Sequence, residues 1–509
     1  MKQKKHNFLH LNRQRVKNFG YRTYLKMFTF LLFLSVAWLS SCTKFLTEDL
    51  KGSFSTETYY KNQTQAIQAI NGVYNAITFT NPSNDIWVFG DVASDDAVKG
   101  GNPGDQAEIT YIDEFTADAN NGIIINYWQF AYEGIARANN VIANVPSVPM
   151  DEALKNRIVG EAKFIRAYTY FNLVNTFGKV PLKLLPPITQ AAINVPLSDV
   201  GTIYQQIEKD LTDAAAVLPV TYTSTEKGRV TKGAALAMLG KVSLYQQKWS
   251  EALNYFHQVE GLGIYGLLPN YADNFKMSFE NSEESIFEIQ HLSGQNPGEG
   301  SGLNQWFGPA PRGYYFNAPT QVLVDAFETT AEGDVDPRLD ASIGRDGQPW
   351  LNGEIYSSSW SPATGYLTKK HQQPQSELTV AGDGGLNYIY LRYADVLLMK
   401  AEAFNETNNA DSARANLNKV RQRARASFNG IPPADLLPDI VLSDIGQLRD
   451  AIRRERRVEM AQEFHRYFDL MRWGKDAAET ALGAHFNYDT KRYFPLPQAE
   501  IDANQALKP

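Results

Sequence analysis

The sequence has very little cysteine and lacks the common catalytic motifs. Cys42 is the single cysteine among 509 residues, which excludes disulfides within the chain, zinc ribbons and dithiol redox chemistry. The seven histidines show no HExxH or other metal-ligand spacing, and there is no G-x-S-x-G sequence. These absences argue against a transition-metal centre and against nucleophilic catalysis by serine or cysteine.

Acidic residues are absent from the first 41 positions, which hold eight lysines and arginines. The whole chain has 49 basic and 56 acidic side chains, so the part after residue 41 keeps 41 basic ones and a net charge of −15. Such an acidic protein repels phosphate backbones and anionic lipids. Nucleic-acid binding and attachment to a membrane through charge are therefore disfavoured.

The N-terminus is typical of an exported bacterial lipoprotein. Residues 27–39 (MFTFLLFLSVAWL) are too short to span a bilayer and have the right length for the hydrophobic core of a signal peptide. Residues 39–42 (LSSC) follow as a lipobox, in which the cysteine is lipidated and becomes the N-terminus after cleavage. We predict a signal peptide over residues 1–41 and a lipid on Cys42. The alternative is a buried N-terminal helix with a chance cysteine.

Apolar residues recur at helical spacing through much of the chain. Small and large residues occur twice at the gaps of 12 and 4 where the two helices of a tetratricopeptide repeat pack together: Gly240, Ala252 and Phe256, and again Ala401, Ala413 and Leu417. We predict a mainly α fold with a tetratricopeptide-like helical-repeat scaffold over about 60–260 and 387–480. Length alone would allow about three domains, but helical arrays grow without boundaries. We therefore predict a single domain over residues 42–509.

Residues 262–386 break the helical pattern, being rich in Gly, Pro, Ser, Asn and aromatic side chains. A loop region of this length inside a domain is usually functional or disordered, and its aromatic content argues against disorder. Residues 79–107 have the same character. We predict a long irregular insertion with few short strands, and we expect both segments to project from one side of the scaffold and to bind ligand.

A series of short motifs gives the chain after the signal peptide a specific resemblance. These motifs are KFL (44–46), EAKFIRAY (161–168), FGKVP (177–181), GRVTKGAA (228–235), RYADVLLMKAEA (392–403), LNKVR (417–421), ERR (455–457), FDLMRWG (468–474), FPLP (494–497) and EI (500–501). Each is weak alone, but in this order behind a lipobox the chain resembles the SusD/RagB family along nearly its whole length.

The resemblance implies a glycan-binding lipoprotein of the outer membrane of Bacteroidota-type bacteria, exposed at the cell surface. It implies a SusC-like TonB-dependent transporter as partner, and no enzymatic activity. In such proteins the repeat scaffold faces the transporter, while the loops form the ligand site.

Paired carboxylates occur in one charged stretch near the C-terminus. Glu455, Glu459 and Glu463 lie four residues apart, which places them on one face of a helix. Arg456 and Arg466 lie three residues from Glu459 and Glu463, respectively. Since charges at this spacing form ion pairs along a helix, we interpret the stretch as structural ion pairs on a helix surface and not as a catalytic site.

Tryptophans in polar loops are the candidate ligand contacts, because a sugar ring offers its C–H faces to a flat aromatic ring. Trp128, Trp249 and Trp473 follow helical patterns and are predicted to pack in the core. Trp87 and Trp306 lie in loops rich in Gly, Asn and Pro, where an exposed ring needs a reason. The alternative is that these rings pin their loops.

We predict that Trp87 and Trp306, 219 residues apart, form one exposed aromatic platform. The predicted supporting residues are Asn84, Asp85, Arg312, Tyr314 and Tyr315. Such a platform requires a fold that brings the early and late loops together. Trp350 and Trp360 lie close enough in sequence to join or replace Trp306.

Two other functions remain open at this point. A surface glycoside hydrolase is compatible with the sequence, since two catalytic acids leave no spacing signature. A periplasm-facing scaffold that binds proteins is the other alternative. No cofactor and no metal ligand set are predicted, although the Asp-rich residues 91–96 would permit a structural calcium ion.

Overall fold

Side chains that cap the helices set where many of them begin. The computed structural model describes residues 59–508, so the predicted signal peptide and Cys42 lie outside the described residues. Asn121 accepts hydrogen bonds from the amides of Ile123 and Ile124, and Asp151 accepts one from the amide of Leu154. These bonds satisfy N–H groups that the first helical turn leaves without a partner.

Helices account for most of the regular structure. In chain order they are α1 Gln63–Asn75, α2 Ala107–Asp113, α3 Gly122–Asn144, α4 Glu152–Phe177, α5 Gln190–Ile193, α6 Val200–Val217, α7 Lys232–Tyr245, α8 Trp249–Gly261, α9 Leu303–Trp306, α10 Gln321–Val324, α11 Pro337–Ser342, α12 Tyr393–Glu406, α13 Ala410–Ala426, α14 Ile445–Glu459, α15 Arg466–Trp473, α16 Lys475–Leu482, α17 Tyr488–Lys491 and α18 Gln498–Ala503. Within residues 59–508, none of these helices has the length and apolarity needed to cross a membrane.

The long helices pack as a consecutive array drawn from both ends of the chain. Helix α3 packs on α4, α4 on α6, α6 on α7, and α7 on α8. Helix α8 also packs against α12, which in turn packs against α13 and α14. The predicted mainly α, tetratricopeptide-like scaffold is therefore confirmed.

Gly240 lies at a close contact between α7 and α8. A Cβ atom at this position would lie 2.3 Å from Cε1 of Phe256. Phe256 and Ala252, which complete the predicted repeat signature, are fully buried. The small residue therefore allows the two helices to approach, while the large ring fills the layer between them.

Replacing Gly240 with alanine should destabilise the protein by about 1–3 kcal/mol, because the added methyl group overlaps the Phe256 ring in a close-packed interior. Gly72 in α1 is the matched control, since a Cβ there would meet no atom within 4 Å. Gly72→Ala should stabilise by about 0.5–1 kcal/mol through helix propensity. Urea unfolding of both variants measures the two effects, and equal shifts would contradict this account of the repeat.

Within residues 59–508 the strands are short and form four two-stranded antiparallel sheets. They are β1 Ala97–Gly100, β2 Val180–Pro181, β3 Leu197–Ser198, β4 Ser285–Ile289, β5 Phe316–Pro319, β6 Ile343–Gly344, β7 Leu367–Thr368 and β8 Tyr388–Arg392, paired as β1–β5, β2–β3, β4–β8 and β6–β7. Residues 262–386 contain only short helices and strands. The predicted irregular insertion with few short strands is confirmed.

The expectation that residues 79–107 project from the scaffold is wrong for most of the segment, although residues 102–107 are exposed. The middle of this segment is buried, from Asn84 through Ser94, and includes a π-helix at Val88–Val92. A Cβ on Gly90 would lie 2.2 Å from the carbonyl oxygen of Phe464, so the backbone presses against the C-terminal half of the chain. Composition predicts a loop, but it does not predict that the apolar side chains of this loop are buried against distant parts of the chain.

Candidate functional site

The structure brings the early and late loops together, as the predicted platform requires. Strand β1 pairs with β5, with Ala97 opposite Pro319 and Gly100 opposite Phe316. The rings of Trp87 and Trp306 lie 6.5 Å apart between centroids, with an angle of 38° between their planes. Trp87 and Trp306 therefore lie together, as the sequence predicts.

Trp87 is nevertheless a core residue, which corrects the expectation of an exposed ring. Only 3% of it is exposed. Its ring stacks on Phe316 at 6.2 Å and meets Phe307 edge-on at 5.2 Å. Trp306 is half-buried and lies on the outer side of this stack. Trp87 therefore supports Trp306 from below and is not itself free to stack on a sugar.

Asn84 and Asp85, predicted beside the platform, are also buried. The Asn84 side-chain amide donates to the carbonyl oxygen of Ile77 at 3.0 Å, which holds the turn after α1. Burial raises the pKa of the Asp85 carboxyl to about 8. Since the neutral acid is favoured in an apolar environment, Asp85 belongs to the interior and not to an accessible site.

Replacing Asp85 with asparagine should flatten the dependence of stability on pH. The folded-state pKa is above the unfolded value of 3.8, so the contribution of Asp85 is fully present below about pH 4 and is lost as pH rises through about 8. Between these limits the native protein should lose stability relative to Asp85→Asn, by about 1.4 kcal/mol per pH unit at most. Denaturant unfolding from pH 4 to 8 measures it, with the exposed Asp435→Asn as the control. A constant difference across this range would contradict the account.

Tyr315 is a further predicted contact that proves to be buried. Its hydroxyl donates to the side-chain oxygen of Asn102 at 2.8 Å, which ties the early loop to the late one. It belongs to a small apolar cluster with Trp350, Tyr356 and Leu367. Trp350 and Tyr315 therefore form the floor beneath the surface residues.

Four residues remain accessible and form what we call the aromatic face: Trp306, Arg312, Tyr314 and Trp360. Tyr314 is 47% exposed, Arg312 is exposed, and the two tryptophans are half-buried. The Arg312 guanidinium lies 5.9 Å from the centroid of the Trp360 ring and 3.8 Å from a carboxylate oxygen of Glu354. Of the predicted site residues, the structure thus leaves Trp306, Arg312 and Tyr314 at the surface, and Trp360 joins them.

Backbone contacts fix the geometry of the aromatic face. The amide of Tyr314 donates to the carbonyl oxygen of Gln305 at 2.9 Å, and the amide of Ala310 donates to that of Trp360 at 3.0 Å. The Trp306 ring lies over Gly302, where a Cβ would come within 2.8 Å of the ring. The rings are therefore held in place before any ligand arrives, which limits the entropy that binding must overcome.

The aromatic face has the chemistry that a polyhydroxylated ring requires. Indole and phenol rings offer flat apolar surfaces to sugar C–H groups, while the Arg312 guanidinium and the Glu354 carboxylate can hydrogen-bond to hydroxyls. These groups lie in loops that a rigid scaffold positions, as is usual for binding sites.

The Asp-rich residues 91–96 are engaged by other side chains. Asp95 and Asp96 form ion pairs with Arg457 and Arg466. Asp91 accepts hydrogen bonds from the amide of Phe464 and the side chain of Asn317, while burial raises its pKa to about 8. Within residues 59–508 no group of three or more His, Cys, Asp or Glu side chains could hold a metal ion. The carboxylates of Asp91, Asp95 and Asp96 are therefore engaged by protein partners.

The glutamates near the C-terminus do form ion pairs, but they are buried and their partners differ from those expected. Helix α14 ends at Glu459, and Glu463 lies beyond it. Glu459 contacts Arg338 at 2.9 Å, Arg392 at 2.5 Å, and Arg423. These arginines come from α11, β8 and α13. Glu459 faces inward, where arginines distant in sequence meet it, so the expected placement on a helix surface is wrong.

Comparison with known proteins agrees with this architecture. Residues 283–508 match the SusD family, and residues 44–244 match a SusD-like family described as starch-binding and associating with the outer membrane. The SusD-like protein P25 of Formosa agariphila is 27% identical over 510 residues, covering 92% of this chain and 95% of that protein.

Solved structures with the same fold extend the comparison. A laminarin-binding SusD-like protein is 32% identical, with a TM-score of 0.74, and the match covers 88% of this chain and 98% of that one. A SusD-like carbohydrate-binding protein from Bacteroides fragilis is 26% identical, with a TM-score of 0.75, and the match covers 89% of this chain and 100% of that one.

Proposed function

The chain belongs to the SusD family, and on that premise we propose that it is a non-catalytic lipoprotein of the outer-membrane surface that binds a glycan. The aromatic face is the observation that carries the proposal, because it presents fixed, accessible rings beside an arginine and a carboxylate. The name of the 32% identical relative makes laminarin the first glycan to test.

Affinity electrophoresis in gels that contain laminarin, starch or xylan tests the binding. We expect one of these polysaccharides to retard the native protein and to retard Trp306→Ala much less. Product analysis after long incubation should find no shortened oligosaccharide. Retardation by none of the polysaccharides would count against glycan binding, and the release of oligosaccharides would favour a hydrolase.

We propose further that the protein delivers its glycan to a SusC-like TonB-dependent transporter. A binding protein alone gives bound ligand no route across the membrane, so the function requires a pore. A permanent complex typically buries more than about 2,000 Å², which should survive mild detergent. Pull-down should therefore recover a large barrel protein with the tagged chain, and repeated recovery of the chain alone would contradict the partnership.

The proposed lipid anchor lies on Cys42. Replacing Cys42 with serine removes the thiol that carries the lipid, so nearly all of the protein should leave the membrane fraction. The acidic chain has no attraction to anionic lipid, and the experiment uses cells that lack the proposed transporter, so nothing else is expected to hold the protein there. Fractionation followed by blotting measures this, and a Cys42→Ser protein that stays with the membrane would overturn the anchor. Protease treatment of intact cells then tests exposure at the surface.

A further inference from the structure

A cavity of about 770 Å³ opens in the loop-rich segment, apart from the residues that form the aromatic face. It lies between the short helical turn Met277–Phe279 and the chain at 350–352 and 372–374. Its apolar lining includes Phe275, Met277 and Leu351. This size falls within the range of pockets that hold small ligands.

Two neighbouring glutamines carry side-chain N–H groups that have no strong hydrogen-bond acceptor in the described part of the protein. Gln372 is 5% exposed, and among the described residues its Nε2 has no acceptor. The Nε2 of Gln373 donates to the thioether sulfur of Met277 at 2.7 Å. Sulfur is a weak acceptor, and a buried donor without a good acceptor is costly. Both side chains line the cavity, and rotation of their buried amides toward it would offer the two donors to a ligand oxygen.

Met277 is suited to making way for such a ligand. It is 41% exposed, and an unbranched thioether side chain changes conformation easily. Movement of Met277 would release the Gln373 amide toward the cavity and leave an apolar surface against which the C–H groups of a sugar ring can pack.

The charged groups of the cavity favour a neutral ligand. Lys369 donates to the carbonyl oxygens of Asp340 and Pro349 at 3.0 and 2.9 Å. Lys276 forms an ion pair with Asp273 at 2.7 Å. Glu377 lies exposed in the lining, where its negative charge would repel an anion.

We propose that this cavity, which we call the Gln372 cavity, is a second saccharide subsite that holds one neutral pyranose unit of the glycan bound at the aromatic face. Trp350 connects the two places, since it lines the cavity and its ring meets that of Trp360 at 6.3 Å. The proposal rests on the glycan-binding function proposed above. It adds that the protein contacts the glycan at two places. Aromatic rings stack on it at the aromatic face, and amide donors hydrogen-bond to it in the Gln372 cavity.

Methyl NMR on methionine tests the subsite directly. The mature protein in detergent, labelled with ¹³C at the methionine methyls, is titrated with laminarihexaose, and the Met277 signal is assigned with Met277→Leu. The Met277 methyl should shift at the concentration at which calorimetry detects binding. The buried methyls of Met238 and Met399 should not shift.

Gln372→Leu provides the matching functional test. Leucine has a similar size but no hydrogen-bond donor. The affinity measured by calorimetry should therefore fall by about fivefold to tenfold. Gln375→Leu, at an exposed position outside the cavity lining, should leave affinity unchanged. Equal melting temperatures of the two variants exclude unfolding as the cause.

The outcomes separate the subsite from the general function. If laminarihexaose binds with full dependence on Trp306 while the Met277 methyl and the Gln372→Leu affinity stay unchanged, the second subsite is overturned and the proposed function stands. If laminarihexaose does not bind, maltohexaose, cellohexaose and xylohexaose are titrated in the same way. A lack of response to all four sugars contradicts both proposals.

Discussion

Glu459→Gln is expected to lower the free energy of unfolding by about 3–5 kcal/mol, because removing one partner of a buried ion pair leaves charges without compensation. The Glu459 carboxylate is fully buried among the guanidinium groups of Arg338, Arg392 and Arg423. Glutamine keeps the shape and removes the charge, so packing alone would predict a much smaller loss. Urea unfolding followed by circular dichroism measures the difference.

An exposed ion pair provides the control for this substitution. Glu152 pairs with Lys155 on the surface of α4, where its side chain is largely solvated. Glu152→Gln should therefore change stability by no more than about 0.5 kcal/mol. Similar losses in the two variants would show that burial does not govern the strength of these pairs here.

The same carboxylates should make the protein sensitive to acid. The guanidinium groups of Arg423, Arg392 and Arg338 lower the pKa of Glu459, and Arg392 and Lys370 lower the pKa of Glu463 to about 2. Because these folded-state pKa values lie below the unfolded value of 4.5, the stability that they contribute is complete above about pH 4.5 and is lost as pH falls towards about 2. Glu459→Gln should lose less stability across this interval than the native protein does.

Trp306→Ala is expected mainly to weaken glycan binding, and Trp87→Ala mainly to lower stability, although the two rings lie next to each other. Trp306→Ala should weaken glycan binding by about 2 kcal/mol or more, as for an aromatic hot spot, and should lower the melting temperature less than Trp87→Ala does, because Trp306 is only half-buried. Trp87→Ala should cost about 3–5 kcal/mol of stability, because it leaves a cavity in a close-packed interior. Calorimetry with the glycan and thermal unfolding of both variants separate the two effects.

Trp249→Ala serves as a control for general loss of a ring, since Trp249 begins α8 on the helical scaffold. It should leave glycan binding unchanged. If Trp306→Ala binds normally, or loses binding only because it unfolds, the aromatic face is not the ligand site. If Trp87→Ala is as stable as the native protein, the Trp87 ring does not contribute to the core.

Features that depend on residues close in the chain could be read from the sequence. The apolar stretch and LSSC at residues 39–42 predict the anchor without reference to any fold. The spacing of Gly240 from Phe256 predicts how two consecutive helices pack, because a short connection leaves them adjacent. The helical array and the irregular insertion follow from the same local patterns.

Features that depend on distant segments needed the tertiary structure. Composition placed Trp87 and Trp306 in similar polar loops, but only the pairing of β1 with β5 decided that one ring would be buried behind the other. Helical spacing placed Glu455 and Glu459 on one helix correctly, but Glu463 lies beyond its end, and the partners of Glu459 lie 36 to 121 positions away. Burial and ion pairing depend on which surfaces of the chain pack against each other. A periodic sequence pattern identifies one face of a helix, but it does not identify the segment that packs on that face.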